Sequence, residues 1–470
     1  MKPFIHDDFL LDSEPARELY HVHARNQPLI DYHCHLCPQA LAENRSFANL
    51  FDIWLSSDHY KWRAMRINGE PERYCTGDAE PYEQFLAFAR TVPQTLRNPL
   101  HHWTHLELAR YFGINRLLNE TSAPAIWEEA NARLATDELR VWGILKRFNV
   151  AMIGTTDDPA DDLKTHEAIA ASGCPSKVLP SFRPDKAFGI DKAPSWNTWT
   201  DRLASTSGVD CDTFDGFLEA LQQRIEAFAA NGCVASDHGI EKCPETIADE
   251  AAAAGLFHKA RSGETLTPAD AEAFTGFMLC WLGERYAEKG WAMQLHLGAI
   301  RNVNGAIKAS YGPDAGCDSI HDVGQIRGLA TVLGELSGRN KLPKVILYNL
   351  DPSKNYAVAT MCGNFFEAGV PGKVQFGSGW WFLDQLEGMT WQINALSSLG
   401  LLSRFIGMLT DSRSFMSFPR HEYFRRLLCN LLGNDVRRGL VPNDLEALGS
   451  LVRGVCYTNA RDYFGLGSND

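Results

Sequence analysis

The chain has 470 residues, 45% of them hydrophobic, which is ample for a large core plus an insertion or second domain. No run of about eighteen apolar residues occurs, so nothing is expected to span a membrane; a formal charge of −13 without a basic run argues against a nucleic-acid partner. Met1 to Asp8 lacks the apolar stretch of a secretory signal, and the twelve cysteines follow no framework pattern. Reduced thiols in a cytoplasmic protein are the expectation.

The first chemistry-bearing stretch is Pro28-Leu29-Ile30-Asp31-Tyr32-His33-Cys34-His35, a short buried strand ending in two histidines. Side chains alternate across a strand, so His33 and His35 share a face while Cys34 turns away. Two imidazoles so placed can grip one metal ion, although a lone His-X-His is equally compatible with exposed loop histidines. Cys34 and Cys37 form a C-x-x-C, but no second pair completes a zinc ribbon, and the outward Cys34 argues against a redox dithiol.

From Leu36 to Phe148 the chain is far longer than one crossover helix requires. It looks helical, most clearly over Leu106 to Leu118 and Asp137 to Arg147, and is read as an inserted subdomain or cap. The expected division is therefore 1–35, an N-terminal segment with the first strand; 36–148, the insertion; and 149–470, the remaining catalytic barrel. Within the insertion, Asp58 to Arg66 mixes aromatics with cations. This is either a solvated amphipathic helix or a place where Tyr60 and the arginines reach a bound anion. His101 and His105 have the spacing of helical metal ligands but no third partner, and are taken as ordinary helix residues.

Further apolar runs follow at 149–156, 177–183, 233–238, 292–297, 344–350, 373–378 and 405–411, with helices such as Phe214 to Ala229 and Asp270 to Glu288 between them. About eight near-continuous apolar runs alternating with helices predict parallel strands closing as a distorted (β/α)8 barrel. An open doubly wound sheet is the alternative, but no G-x-G-x-x-G opens a first helix. The runs end in His33/His35, Asp157/Asp158, Arg183/Asp185, Asp237/His238, His296, Asn349/Asp351, Trp380/Trp381 and Asp411/Arg413. In a barrel such ends converge on one mouth. Asp411 can ligate a metal or take a proton, and Arg413 offers paired donors to carboxylate or hydroxyl oxygens. Taken singly, the two are equally a helix-capping Asp and a surface Arg.

His-X-His on the first strand with an Asp closing the eighth resembles the amidohydrolase superfamily. The stretches Asp31 to His35, His59 to Arg66, Gly154 to Pro159, Ser181 to Asp185, Gln294 to Gly298, Trp380 to Phe382 and Leu409 to Arg413 resemble its uronate (glucuronate) isomerase family from end to end. The resemblance implies a distorted barrel, one divalent metal ion (zinc), and interconversion of D-glucuronate with D-fructuronate and of D-galacturonate with D-tagaturonate. It assigns His33, His35 and Asp411 to the metal, Asp411 also as base, and Tyr60 and Arg413 to catalysis and to the sugar oxygens. Arg183, His296 and Trp381 are expected to bind substrate, with His296 either a ligand or a neighbouring donor. Ser236-Asp237-His238 stands where the superfamily places a bridging Lys, and the sixth strand ends in Asn349, so a binuclear site is not expected. A homo-oligomer is expected.

The chemistry also follows from the residues. Aldose–ketose exchange through an enediol removes a proton beside a carbonyl and returns one to the neighbouring carbon. A metal on the substrate oxygens and a nearby carboxylate supply what that needs. The −13 charge makes local arginines necessary for an anionic sugar. A metal-dependent hydrolase uses the same metal and carboxylate to activate water. A non-catalytic sugar-acid binder has no need of His33, His35 and Asp411 together.

Overall fold

The computed structural model describes residues 3–467. Seven parallel strands carry the fold: Leu29–Asp31, Val150–Gly154, Lys177–Leu179, Ala235–Ile240, Ala292–Leu297, Lys344–Asn349 and Val374–Phe376. The first three form one sheet in chain order and the last four another. Single bridges from Phe182 to Asp157 and to Ser236 stitch the two together. Helices cover the outer faces, and the architecture is a distorted (β/α)8 barrel. Strands covered on both faces are buried along their length and read as near-continuous apolar runs. The fifth shows it: all six residues from Ala292 to Leu297 are buried. Each fully buried Leu, Ile or Val contributes on the order of 1.5–3 kcal/mol.

The eighth run departs from expectation. Phe405–Asp411 joins no ladder among the described residues, and its course is broken by left-handed backbone at Gly407 and Asp411. Gly407 sits at φ +79°, and a Cβ there would lie 2.3 Å from the Val455 carbonyl oxygen, so the chain bends at a position only glycine tolerates. The barrel is closed instead by a side chain. Asp31, buried at the end of the first strand, accepts from the Thr410 backbone N–H (2.7 Å) and hydroxyl (2.6 Å). Beyond it, Asp411 N–H donates to the His33 carbonyl (3.2 Å) and His35 N–H to the Ser412 carbonyl (2.9 Å).

Between the first and second strands the chain is helical, including Pro38–Ala42, His59–Ile67, Pro81–Thr91, Pro99–Phe112, Ala123–Leu134 and Val141–Arg147. Most of their buried side chains form one core that also takes in Leu29, Val150 and Ile153 of the first two strands, while Leu100, Trp103 and Leu106 pack into the core shared with the later barrel elements. The expected helix 106–118 starts earlier and ends sooner. Asn98 caps it, Pro99 occupies its first turn, and left-handed Gly113 (φ +65°) stops it. The expected 137–147 helix is broken at Arg140, whose extended backbone separates a 3₁₀ turn from Val141–Arg147. The two crossover helices expected later are present as Phe214–Ala230 and Pro268–Lys289, the second with a Thr267/Asp270 capping box and a Gly290 stop.

Candidate active site

The first strand delivers His33 and His35 to the carboxyl end of the barrel. Cys34 between them is fully buried in the helical core, as alternation requires. Burial pushes the Cys34 thiol well above its ordinary pKa, the reverse of an activated dithiol, and Cys37 is exposed. The eighth run brings Asp411 to meet the histidines. His33 Nε2 lies 3.1 Å and His35 Nε2 3.0 Å from the same carboxylate oxygen, Oδ1. The other oxygen, Oδ2, accepts the Trp380 indole N–H at 2.8 Å. Asp411 sits at φ +47° and neighbouring Trp381 at φ +51°, the latter an uncommon conformation for a bulky residue and a mark of a site under constraint.

Burial alone would raise the Asp411 carboxyl, but hydrogen bonds from His33 and His35 outweigh it and hold the group well below the carboxylate range. The imidazoles diverge. Burial lowers His35, whereas in His33 the carboxylates of Asp237 and Asp411 overcome burial and raise it. A second buried triad shares His33 and adds Asp237 and His296. His296 Nδ1 lies 2.7 Å from Asp237 Oδ1, and Arg183 Nη1 lies 2.9 Å from Asp237 Oδ2. His296 stacks on Tyr348 at 4.1 Å, and burial pushes it down to about 4. It is therefore neutral near pH 7, and its buried Nε2 has no hydrogen-bond partner among the described residues.

This donor set fits a metal ion. Ligand atoms of His33, His35 and Asp411 all lie within 4.8 Å of one another, and two imidazoles with a carboxylate are a combination zinc accepts. Two ligands bonded to one tetrahedral ion at 2.0–2.1 Å stand about 3.3 Å apart, close to the spacing of these nitrogens from Oδ1. Trp380 occupies Oδ2 and leaves Oδ1 to the histidines.

A cavity of about 340 Å³ opens over the cluster. Its walls are His33, His35, His59, Thr156, Arg183, His296, Arg301, Asp314, Trp380, Trp381, Asp411 and Arg413. The volume falls within the range of small-ligand pockets. A larger cavity of about 480 Å³ lies at the opposite end of the strands, beside Trp291, Lys344 and Lys373, and no candidate metal-ligand triad among the described residues lines it.

Comparisons with known proteins agree with this picture. The glucuronate isomerase family model matches residues 1–464. Uronate isomerases of Opitutus terrae and Solibacter usitatus are each 54% identical, covering 99% and 98% of this chain and 98% and 99% of their own. The crystal structure of the Thermotoga maritima uronate isomerase superposes with a TM-score of 0.93 at 34% identity, covering 98% of this chain and all of that one. That of the Caulobacter crescentus glucuronate isomerase gives 0.91 at 28% identity, covering 100% and 98%.

The chain belongs to the glucuronate isomerase family. Membership makes it an isomerase and leaves the hydrolase alternative without support of its own.

Within this glucuronate isomerase family chain, the strand ends do not all reach the cavity. Asp157 is buried against Thr155 and Ser181, and Asp158 bonds the Trp199 indole. His238 packs on Phe188 and Tyr286, and Asn349 bonds Asn355. These are structural. His105 is as well, its Nδ1 donating to the His101 carbonyl and its Nε2 accepting from Leu118 N–H. Tyr60 is not among the cavity walls, its place being taken by His59 next to it. Its hydroxyl makes no hydrogen bond among the described residues, and burial followed by the Asp411 charge raises its pKa above 10. Sequence reasoning missed His59, Thr156, Arg301 and Asp314 as wall residues. Arg301 lies over the Trp381 ring at 4.7 Å, and its Nη1 is 3.6 Å from Asp314 Oδ1. Its signal was its place in the loop after the fifth strand, where barrel enzymes keep site residues.

Proposed function

We propose that the protein interconverts the aldose and ketose forms of hexuronates, D-glucuronate with D-fructuronate and D-galacturonate with D-tagaturonate. The observation that carries the reading is the convergence of His33, His35 and Asp411 Oδ1 beneath a cavity ringed by Arg183, Arg301 and Arg413. Those guanidiniums match a small sugar acid in a chain of charge −13. The relatives named as uronate isomerases support the same substrate class.

His33, His35 and Asp411 would hold one divalent ion, zinc by donor type, with His296 available beside them. Bound there, such an ion acidifies the proton next to the substrate carbonyl and stabilises the developing oxyanion. Asp411 takes the proton from one carbon and returns it to the next. Its lowered pKa leaves the carboxylate without a proton at neutral pH, and Trp380 holds its second oxygen still. Arg413, with its Nη2 only 3.5 Å from Asp314, is free to exchange that weak contact for the sugar's oxygens. Arg183 is fixed by Asp185 and Asp237 and presents fixed positive charge to the bound acid. Tyr60, kept protonated, serves as a donor when substrate reaches it, and Trp381 under Arg301 forms an apolar wall for the ring.

Three coarser features belong to the same proposal. Segment 36–148 acts as an inserted helical subdomain capping the mouth, supported by His59 in the cavity wall. The enzyme works in the cytoplasm, supported by twelve cysteines all free. It forms a homo-oligomer, supported by Phe366 and Leu401, 87% and 69% exposed. Incubation with D-glucuronate and, separately, with D-galacturonate, followed by mass measurement and ketose assay, tests the activity. A new ketose at unchanged mass is expected; a product gaining the mass of water, or no product with either uronate, overturns it.

A further inference from the structure

Behind the cavity, Asp384 and Arg420 form an ion pair with side chains only 5% and 7% exposed. Neither lines the cavity. A buried pair seldom adds net stability over well-packed apolar residues. This one is not even fully satisfied, because Asp384 Oδ1 and Arg420 Nε have no hydrogen-bond partner among the described residues. Stability therefore explains it poorly, and its position explains it well. Asp384 N–H donates to the Trp381 carbonyl at 3.0 Å, closing the turn in which Trp381 takes its left-handed backbone. Arg420 lies in the first turn of the helix Pro419–Arg437, directly after the Asp411–Phe418 loop, and its N–H bonds the Ser417 carbonyl at 3.0 Å. Its guanidinium also covers the Trp103 ring at 4.8 Å, and Trp103 meets Tyr60 edge-on at 6.4 Å. One contact thus ties together the segments that deliver Trp380, Asp411 and Tyr60.

We propose that the Asp384–Arg420 pair is a positioning device for the isomerase reaction: it holds the Trp380–Trp381 turn so that Trp380 Nε1 grips Asp411 Oδ2 and leaves Oδ1 facing His33 and His35. The inference rests on the activity proposed above. Its effect passes through a hydrogen bond outside the reacting atoms, as a supporting shell acts on the ligands it orients.

Asp384→Asn removes the charge, while Asp384→Glu and Arg420→Lys keep it and change only reach and geometry, so the latter two are expected to fold. In each folded variant kcat for glucuronate should fall by about 10²-fold, the scale of a displacement near 1 Å, with KM within a few-fold of wild type. Asp384→Glu combined with Arg420→Lys should lose no more than the worse single variant, since both act through one contact. The second readout needs no turnover. In ¹⁵N-tryptophan-labelled protein, the indole N–H resonance that Trp380→Phe abolishes should move upfield in every variant. If wild type converts neither uronate, the activity proposal fails, and the resonance alone decides the placement. A kcat within twofold of wild type, a loss confined to KM, or an unmoved Trp380 resonance overturns the inference.

Discussion

Asp411 concentrates the demands of the site in one carboxylate: Oδ1 toward two imidazoles, Oδ2 on an indole, and a backbone at φ +47° that Asp tolerates better than most residues. Asp411→Asn is nearly isosteric and can still accept the Trp380 N–H, so the barrel should fold. The amide accepts no proton at neutral pH, and the rate should fall by at least about 10², the lower end for a lost general base. Metal content must be measured in the same sample, because loss of a ligand would deepen the effect. An Asp411→Asn protein that keeps its metal and isomerises glucuronate within a few-fold of wild type would move the base to Tyr60, Asp237 or His296. His33, His35 and Asp411 were legible because two-residue alternation and strand ends are local properties of sequence. Arg301, Asp314 and His59 were not, because nothing in a loop's residues says how it folds over the mouth. His59 illustrates the difference. The stretch was singled out, but helical phase decided that the imidazole reaches the cavity wall while the neighbouring phenol does not.

Helix packing leaves a further titratable group buried. Glu107, on the helix Pro99–Phe112, lies 2% exposed behind the helix His59–Ile67, where the Trp54 indole donates to it at 2.5 Å and Lys61 Nζ stands 3.9 Å away. Asp58, which bonds Lys61, Arg420 and Tyr111 are the other charged or titratable groups facing it. Burial outweighs the Lys61 attraction and raises Glu107 to about 7. Folding therefore takes up a proton between the ordinary carboxyl pKa and about 7: the native state is favoured at low pH, and this stability is lost as pH rises through that window. Its ceiling is about 3 kcal/mol. Glu107→Gln keeps an acceptor for Trp54 and removes the titration. Denaturant unfolding at pH 5 and pH 8 should show wild type losing more stability than the variant over that interval; equal losses would mean that Lys61 keeps Glu107 ionised throughout. At this scale helices were legible where caps are explicit, as at Thr267 and Gly290. The eighth run was legible as an apolar segment reaching the site but not as lacking a ladder, since that depends on Val455 approaching Gly407 and on Asp31 standing in for a neighbouring strand.

The whole barrel closes where its chemistry sits. No ladder joins the eighth run to the first strand, and the seam is held by Asp31 on Thr410, by two backbone hydrogen bonds, and by His33 and His35 on Asp411 across more than 370 residues of chain. Parallel β/α alternation made the barrel legible in the sequence, but the way it closes is a product of contacts between the two ends of that sequence. An ion held by His33, His35 and Asp411 would bridge this seam and bind the folded chain only, because the unfolded chain separates its ligands. Its contribution to stability then follows mass action: about 2.7 kcal/mol at a free metal concentration 100 times its Kd, growing with the logarithm of that concentration. Chelation should lower Tm, and titrating zinc back should raise it along that logarithmic course. In a His33→Ala, His35→Ala double variant the metal-dependent rise should vanish, while the chelated variant unfolds as a barrel still joined by Asp31 and Thr410. A wild-type Tm indifferent to chelation and to added zinc would show that the seam carries no ion, and the metal would have to be removed from the proposed chemistry.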